Sequence, residues 1–490
     1  MAGESNHIGS YTPTTGFVFL FNLIVGTGAL TIPHAFAQVG ILYGTAALFL
    51  LSVVSYISGT YVIEAIAGVN ALHSLSKTSA VTNKRAEGMT ENITSVEEGS
   101  SEAVPFLVHT EDTEQADEEY VSGLHFDLSK KLEMAAIAHE LFSARGLMAF
   151  YACVIAYLYG DLAIYAVAIP KSLREVICPR PSSLLAESVW DCPGVHMNSA
   201  VLYRVLVALF GCMLGPFAMG HMQKTAFIQI ATTVMRQLSF ALMIILACVG
   251  IAQGQGRSVS DVVAHENISF LPNFFGICIY SFMCHHSLPG IIAPVSKKRS
   301  VGFIFAAAFI AVFVLYNVLS SSATFRYQPG EIQDVYTLNF VKYPNAFIAY
   351  FLSLFPVFTL STSFPIIAIT LRENLRTLFH ANTSRNVSDL TLFGLLAIAP
   401  PLVVALCTED VGMLVGITGA YAGLGIQWII PACFVYCLRQ RLVVVQGQLK
   451  LQGTPRNPYA SSFSGFGWLA FLAVLSGASL ILITYTRVFH

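Results

Sequence analysis

The chain has 490 residues, of which 55% are hydrophobic and 11% charged, and its mean hydropathy is +0.66. Soluble globular domains carry about 25% charged residues, so this composition excludes a soluble fold and points to an integral membrane protein. The net charge of −2 gives no basis for nucleic-acid binding, and the 10 cysteines lack zinc-like pair spacing. The first residues, MAGESNHIGSYTPTT, have no basic n-region and no cleavage pattern, so the first apolar segment is expected to stay as a helix.

A spanning helix needs about 20 mostly apolar residues. Eleven segments qualify, at roughly 16–40, 41–69, 146–176, 200–219, 225–252, 271–296, 300–325, 342–370, 388–407, 411–438 and 463–487. They are too long and too continuously apolar for the strands of a barrel. The expected class is all-α, a polytopic membrane protein with about eleven transmembrane helices. Residues 1–69 hold the N-terminal segment and two helices, 70–145 a soluble insertion, and 146–490 the other helices.

With a cytosolic N-terminus, 16 of the 26 Lys and Arg fall in cytosolic loops, 7 fall on the opposite side and three sit at membrane edges. This bias supports N-in and, with an odd span count, C-out, in a plasma membrane or a lysosomal or endosomal one. The sequon at Asn267 then lies outside, whereas those at Asn92, Asn382 and Asn386 lie inside and should stay bare. Cys178 and Cys192 share one outside loop, where a disulfide is plausible.

Within 70–145 the stretch EDTEQADEEY is acidic and aperiodic, so disorder is expected, and the loop offers a docking site for a cytosolic protein partner. From Asp127 to Phe142 the pattern changes: Asp127 can cap a helix carrying Leu128, Leu132, Ala135, Ile137 and Leu141 on one side. A short amphipathic helix at the inner membrane surface is expected there, or simply a lead-in to the third span.

The first segment carries Gly26, Thr27 and Gly28 at its centre. Unpaired backbone in hydrocarbon costs several kcal/mol per group, so a broken helix survives only inside protein or along a wet cavity. Close helix packing alone also explains a Gly-Thr-Gly. The sixth segment, FGICIYSFMCHHSLPGIIAPV, breaks the tie. Its stretch from Cys284 to Gly290 holds His285, His286, Ser287 and Pro289 at mid-membrane depth. First and sixth segments correspond if the chain contains a five-helix repeat plus one extra helix, and paired interruptions mark a secondary-transporter site. Freed N–H groups around Gly26, Thr27 and Gly28 can hold a carboxylate, and unwound carbonyls near Cys284, His285, His286 and Ser287 can accept an ammonium.

Other polar residues in the spans carry two readings each. Asp161 costs roughly 2.5–3.5 kcal/mol at a helix centre, so it either relays protons or anchors a helix contact. Glu64 lies near the inner end of its span and is expected to snorkel to water. His34, His285 and His286 lie at or beside the breaks and titrate near neutral pH, which can make the site proton-sensitive; each can equally be a hydrogen-bonded core residue. Gly412, Gly416, Gly419 and Gly423 recur every three or four residues and read as a packing face.

The stretch Asn22–Gly28, NLIVGTG, resembles the first-helix motif of the amino acid/auxin permease family, and Phe364–Asn374, FPIIAITLREN, is similar to its eighth helix. YLYGDLAIYA (157–166), YSFM with HSLP (280–289), LFPVFTLSTSFPIIAITLREN (354–374) and LVGITGAYAG (414–423) resemble one branch of that family. The resemblance covers nearly all spans and is weak in the acidic loop and around Cys192. It implies ten helices in the five-plus-five inverted repeat of bacterial leucine transporters, plus an eleventh. In sodium-coupled relatives, eighth-helix hydroxyls, first-helix carbonyls and an asparagine matching Asn22 hold the ion. Here the hydroxyls are Thr359, Ser361, Thr362 and Ser363, although near prolines they can also bond back to their own helix.

The expected function is therefore a secondary transporter of a small solute, a neutral amino acid above all, coupled to H+ or Na+. The alternative is a sensor of the same fold that binds solute without flux. No catalytic set, phosphate loop, resident metal or cofactor is expected.

Overall fold

The computed structural model describes residues 11–96, 125–181, 189–192, 194–219, 226–379, 387–448 and 457–489. The acidic stretch 111–120 and the sequons at Asn382 and Asn386 lie outside them, as does the side chain of Asn92. The described residues form helices throughout, in chain order α1 (Pro13–Ile24), α2 (Gly28–Val39), α3 (Ile41–Val96), α4 (Met134–Leu141), α5 (Ala144–Ile177), α6 (Ser199–Leu214), α7 (Ala226–Gly250), α8 (Leu271–Ser281), α9 (Leu288–Ile292), α10 (Val301–Arg326), α11 (Ala346–Leu378), α12 (Val387–Cys407), α13 (Val411–Thr418), α14 (Ile430–Gln448) and α15 (Phe466–Phe489).

By length and composition nine of these helices can cross a membrane, and ten if α1 and α2, bent by 57° at their break, count as one span. The chain is thus an all-α, polytopic membrane protein. The expected segment 271–296 is divided between α8 and α9, both too short to span alone. α13 and α14 join through two π-helical stretches, Gly419–Gly423 and Gly425–Ile429.

Local chemistry sets the ends. Thr12 caps α1 by accepting from Thr15 N at 3.3 Å, and Pro13 starts the helix with its φ preset. Ser143 and Asn198 cap α5 and α6 in the same way, accepting from Gly146 N and Val201 N. The expected helix over 127–142 is shorter. Asp127 instead closes a turn, its Oδ1 accepting from Ser129 N at 2.8 Å, and α4 begins only at Met134. α4 docks on the bundle, where the neighbouring Phe142 ring lies 5.0 Å from Phe434. α3 continues through Val96, past the expected end of its span at 69.

Two faces of the bundle matter below. On the N-terminal face, Tyr11 N donates to Pro294 O and Ser296 N to Tyr11 O, each at 3.0 Å, and Asn70 Nδ2 donates to Asp127 O at 2.8 Å. On the far face, Asn267 N donates to Val39 O at 2.9 Å, and the end of α5 meets the segments before α11 and α13. Between them α8 lies hard against α13 and the π-helical turn. A Cβ on Gly419 would sit 1.9 Å from Gly276 O, and one on Gly416 2.3 Å from Asn273 Oδ1. At Gly419 the near atoms are backbone, so only glycine permits the approach, whereas at Gly416 the near atom is the end of the Asn273 side chain; the expected packing face is close at both. A Cβ on Gly412 or Gly423 has no neighbour nearer than 3.2 Å.

Glu64 differs from expectation. It is buried rather than snorkelled, and its carboxylate takes Arg439 Nε at 2.8 Å, Arg439 Nη2 at 2.9 Å and Ser461 N at 2.8 Å.

Candidate functional site

The first break is an inverse γ-turn about Val25 (φ −76°, ψ 79°), in which Gly26 N donates to Ile24 O at 2.8 Å. Ala29 and Leu30 N–H donate to Gly26 and Thr27 carbonyls at 3.2 and 3.0 Å, and among the described residues no backbone carbonyl takes the N–H of Thr27 or Gly28. These two groups sit at the positive end of α2. The second break runs from Phe282 to Ser287 between α8 and α9.

Side chains from other helices hold the breaks open. Tyr316 of α10 directs its hydroxyl at the last carbonyl of α1, Ile24 O at 3.1 Å, and the last carbonyl of α8, Ser281 O at 3.0 Å. Arg236 of α7 donates through one nitrogen to Asn22 O and Val25 O, both at 2.9 Å. Its neighbour Gln237 donates to Asn22 Oδ1 at 2.7 Å. Tyr316 and Arg236 thereby satisfy backbone carbonyls that a helix end leaves unpaired.

A cavity of about 610 Å³ touches both breaks. Asn22, Gly26, Thr27 and Gly28 line it from the first, and Met283, His286 and Ser287 from the second. Asp161, Tyr157 and Tyr165 enter from α5, Arg236 from α7 and Ser363 from α11. The Tyr280 hydroxyl donates to Asp161 Oδ1, and Tyr157 places its ring 5.6 Å from that of His286. Asp161 therefore both faces the cavity and ties α5 to the second broken segment. Lys131 and Glu133 border the cavity on the N-terminal face. A concave site with an anion-favouring helix start and a buried carboxylate is complementary to a zwitterion.

The other expected site residues, Ser363 apart, lie outside the cavity lining. Cys284 and His285 are fully buried outside the cavity lining, and His285 Nε2 pairs with Ser58 Oγ at 2.9 Å. His34 belongs to the far face, where its Nδ1 meets Ile332 O at 2.6 Å and its Nε2 meets Gln38 at 3.1 Å. Thr359, Thr362 and Ser363 donate back along α11, to Phe355 O at 2.9 Å and to Thr359 O at 2.9 and 3.2 Å. Ser361 is half-buried and absent from the lining.

The far face is tied by charges. Lys171 Nζ lies 2.7 Å from each oxygen of Asp334 and 2.8 Å from Glu409 O, and Val411 N donates to Asp334 at 2.9 Å. Arg174 pairs with Glu409 and, at 3.0 Å, with Glu175. Burial pushes the Asp334 carboxyl upward, but the charge and hydrogen bonds of Lys171, with smaller help from its other neighbours such as the Val411 N–H, together hold the group below its ordinary range. Cys178 and Cys192 form a disulfide beside this cluster, and Arg174 lies 5.1 Å from the ring of Trp190.

Sequence reasoning missed Arg236, Tyr316 and Tyr165. Arg236 lies inside the apolar run 225–252, where an ionisable residue is itself a signal of function. Tyr316 and Tyr165 gave no comparable signal.

Residues 9–77 and 129–452 match the family described as transmembrane amino acid transporter protein. Transmembrane protein 104 of Homo sapiens is 38% identical over 99% of this chain and 98% of its own length. The protein of that name from Gallus gallus is 39% identical, with the same coverage. The Drosophila melanogaster homolog of transmembrane protein 104 is 35% identical over 95% of each chain.

Proposed function

Because the chain belongs to the family of transmembrane amino acid transporter proteins, we propose that it is a secondary active transporter of a small solute, a neutral amino acid, driven by an H+ or Na+ gradient. It works by alternating access about the two breaks, in a five-plus-five repeat with one added helix. One observation carries this reading: a single cavity touches both breaks and reaches the N-terminal face, while ion pairs tie the far face. The solute carboxylate meets the N–H groups of Thr27 and Gly28, and its ammonium meets Asp161. The N-terminal face is then cytosolic, and Asn267 and the disulfide lie outside or in the lumen. The acidic stretch 111–120 is available to a cytosolic partner.

The test is counterflow of labelled neutral amino acids into proteoliposomes containing the purified chain. Exchange is expected, and Asp161→Asn should lower it at least tenfold. Solute-induced stabilisation without any counterflow would make the chain a sensor instead.

A further inference from the structure

We infer that Arg236 is a tethered cation standing where a coupling sodium ion would bind, so that this chain moves its solute without sodium. The inference rests on the transporter reading and narrows its driving ion.

The carbonyls of Asn22 and Val25 are three residues apart at the end of α1, where the break turns them out of the helix. Two such oxygens beside a hydroxyl-bearing helix are ligands suited to a hard monovalent cation. One nitrogen of Arg236 already lies 2.9 Å from both. Gln237 takes a third acceptor, the side-chain Oδ1 of Asn22, at 2.7 Å. Consecutive residues of α7 therefore occupy three acceptors at the place where the resemblance to sodium-coupled relatives puts the ion. Thr359, Thr362 and Ser363 on α11 donate their hydroxyl protons to carbonyls of their own helix, which leaves their oxygens as acceptors, and Ser363 lines the same cavity as Asn22 and Arg236.

The chemistry of the guanidinium then decides the consequence. It remains protonated at every accessible pH, and its side chain is anchored in α7. A coupling ion must arrive and leave once per cycle. Arg236 cannot leave, and its fixed charge repels a second cation from the same carbonyls. It neutralises the negative end of α1 permanently, which a sodium ion would do only while bound.

The experiment uses the full chain in detergent and sodium itself as the probe. Thermal unfolding is followed in sodium chloride and in choline chloride at equal ionic strength. For the wild type the two melting curves should coincide. Arg236→Met keeps the length of the side chain but vacates the carbonyls, and its Tm should rise in sodium, saturably, over its value in choline. Arg236→Lys keeps the charge and should stay insensitive to sodium if it folds. A saturable sodium shift in the wild type would overturn the inference. So would an Arg236→Met protein that folds and ignores sodium, because the carbonyls would then be no cation site. Should Arg236→Met fail to fold, the wild-type comparison still decides, read together with equilibrium binding of radioactive sodium to the same protein in detergent. These readouts need no solute and no flux, so a chain that proves to be a sensor leaves them intact.

Discussion

Adding one methyl group at Gly28 should destabilise the protein, whereas adding it at Gly26 should leave the fold intact and impair the site. The two glycines are separated by Thr27, yet their surroundings are opposite. A Cβ on Gly28 would lie 2.1 Å from Ser281 Oγ and 2.7 Å from the Cα of Ser281. The hydroxyl can rotate away, but the Cα belongs to the last turn of α8, so relief requires moving one broken segment off the other. Overpacking of this kind costs about 1–3 kcal/mol. A Cβ on Gly26 has its nearest neighbour, Ile24 O, 4.0 Å away. Alanine fits there, and its methyl group occupies the cavity wall. The assay is thermal unfolding of Gly26→Ala and Gly28→Ala, each with and without a neutral amino acid that stabilises the wild type. Gly28→Ala should melt several degrees lower, and Gly26→Ala should keep its Tm and lose most of the solute-induced shift. An unchanged Tm for Gly28→Ala would refute the argument, and so would a full solute shift in Gly26→Ala.

Three further outcomes are expected. Asp334→Asn leaves Lys171 buried without its counter-ion and should cost about 3–5 kcal/mol at neutral pH. Because the folded-state pKa of Asp334 is depressed, that stabilisation is complete above the ordinary carboxylate pKa of about 3.9 and is lost as pH falls through the folded value, so Tm curves of variant and wild type should converge only in acid. Glu64→Gln should destabilise toward the lower end of the same range, since Arg439 retains partial access to water, and Arg439→Gln should add little to it in a double-mutant cycle. Asn267→Gln should abolish the glycosidase-sensitive band on a gel; a band that persists would place the far face in the cytosol.

The sequence exposed the parts of the site that depend on local composition. Both breaks were legible because glycine, proline and histidine are expensive inside an apolar run, and Gly416 and Gly419 were legible because small residues recur at helical spacing. What it concealed depends on partners far along the chain. Glu64 looked free to reach water because nothing near it in sequence announces Arg439. Asp127 looked like a helix cap because an Asp before a periodic stretch usually is one, yet its side chain satisfies Ser129 N within a turn. His34 looked like part of the site because it follows the first break closely, but α2 carries it to the far face, where it meets Ile332.

The largest omission concerns what a broken helix requires. Each break releases carbonyls that hydrocarbon cannot solvate, so something in the protein must donate to them. Tyr316 and Arg236 are those donors at α1, and Tyr316 also serves α8. A hydroxyl has one proton, which Tyr316 divides between Ile24 O and Ser281 O. The ends of α1 and α8 therefore share one donor on α10. If one half-helix tilts away, the proton is left wholly to the other, while Arg236 continues to hold α1 against α7. The second break has no equivalent cation among the described contacts. The two breaks, alike in sequence, are fastened by different means: Tyr316 and Arg236 hold α1 to α10 and α7, whereas Tyr316 and the Tyr280–Asp161 hydrogen bond hold the end of α8 to α10 and α5, and His285 bonds Ser58 of α3 at 2.9 Å.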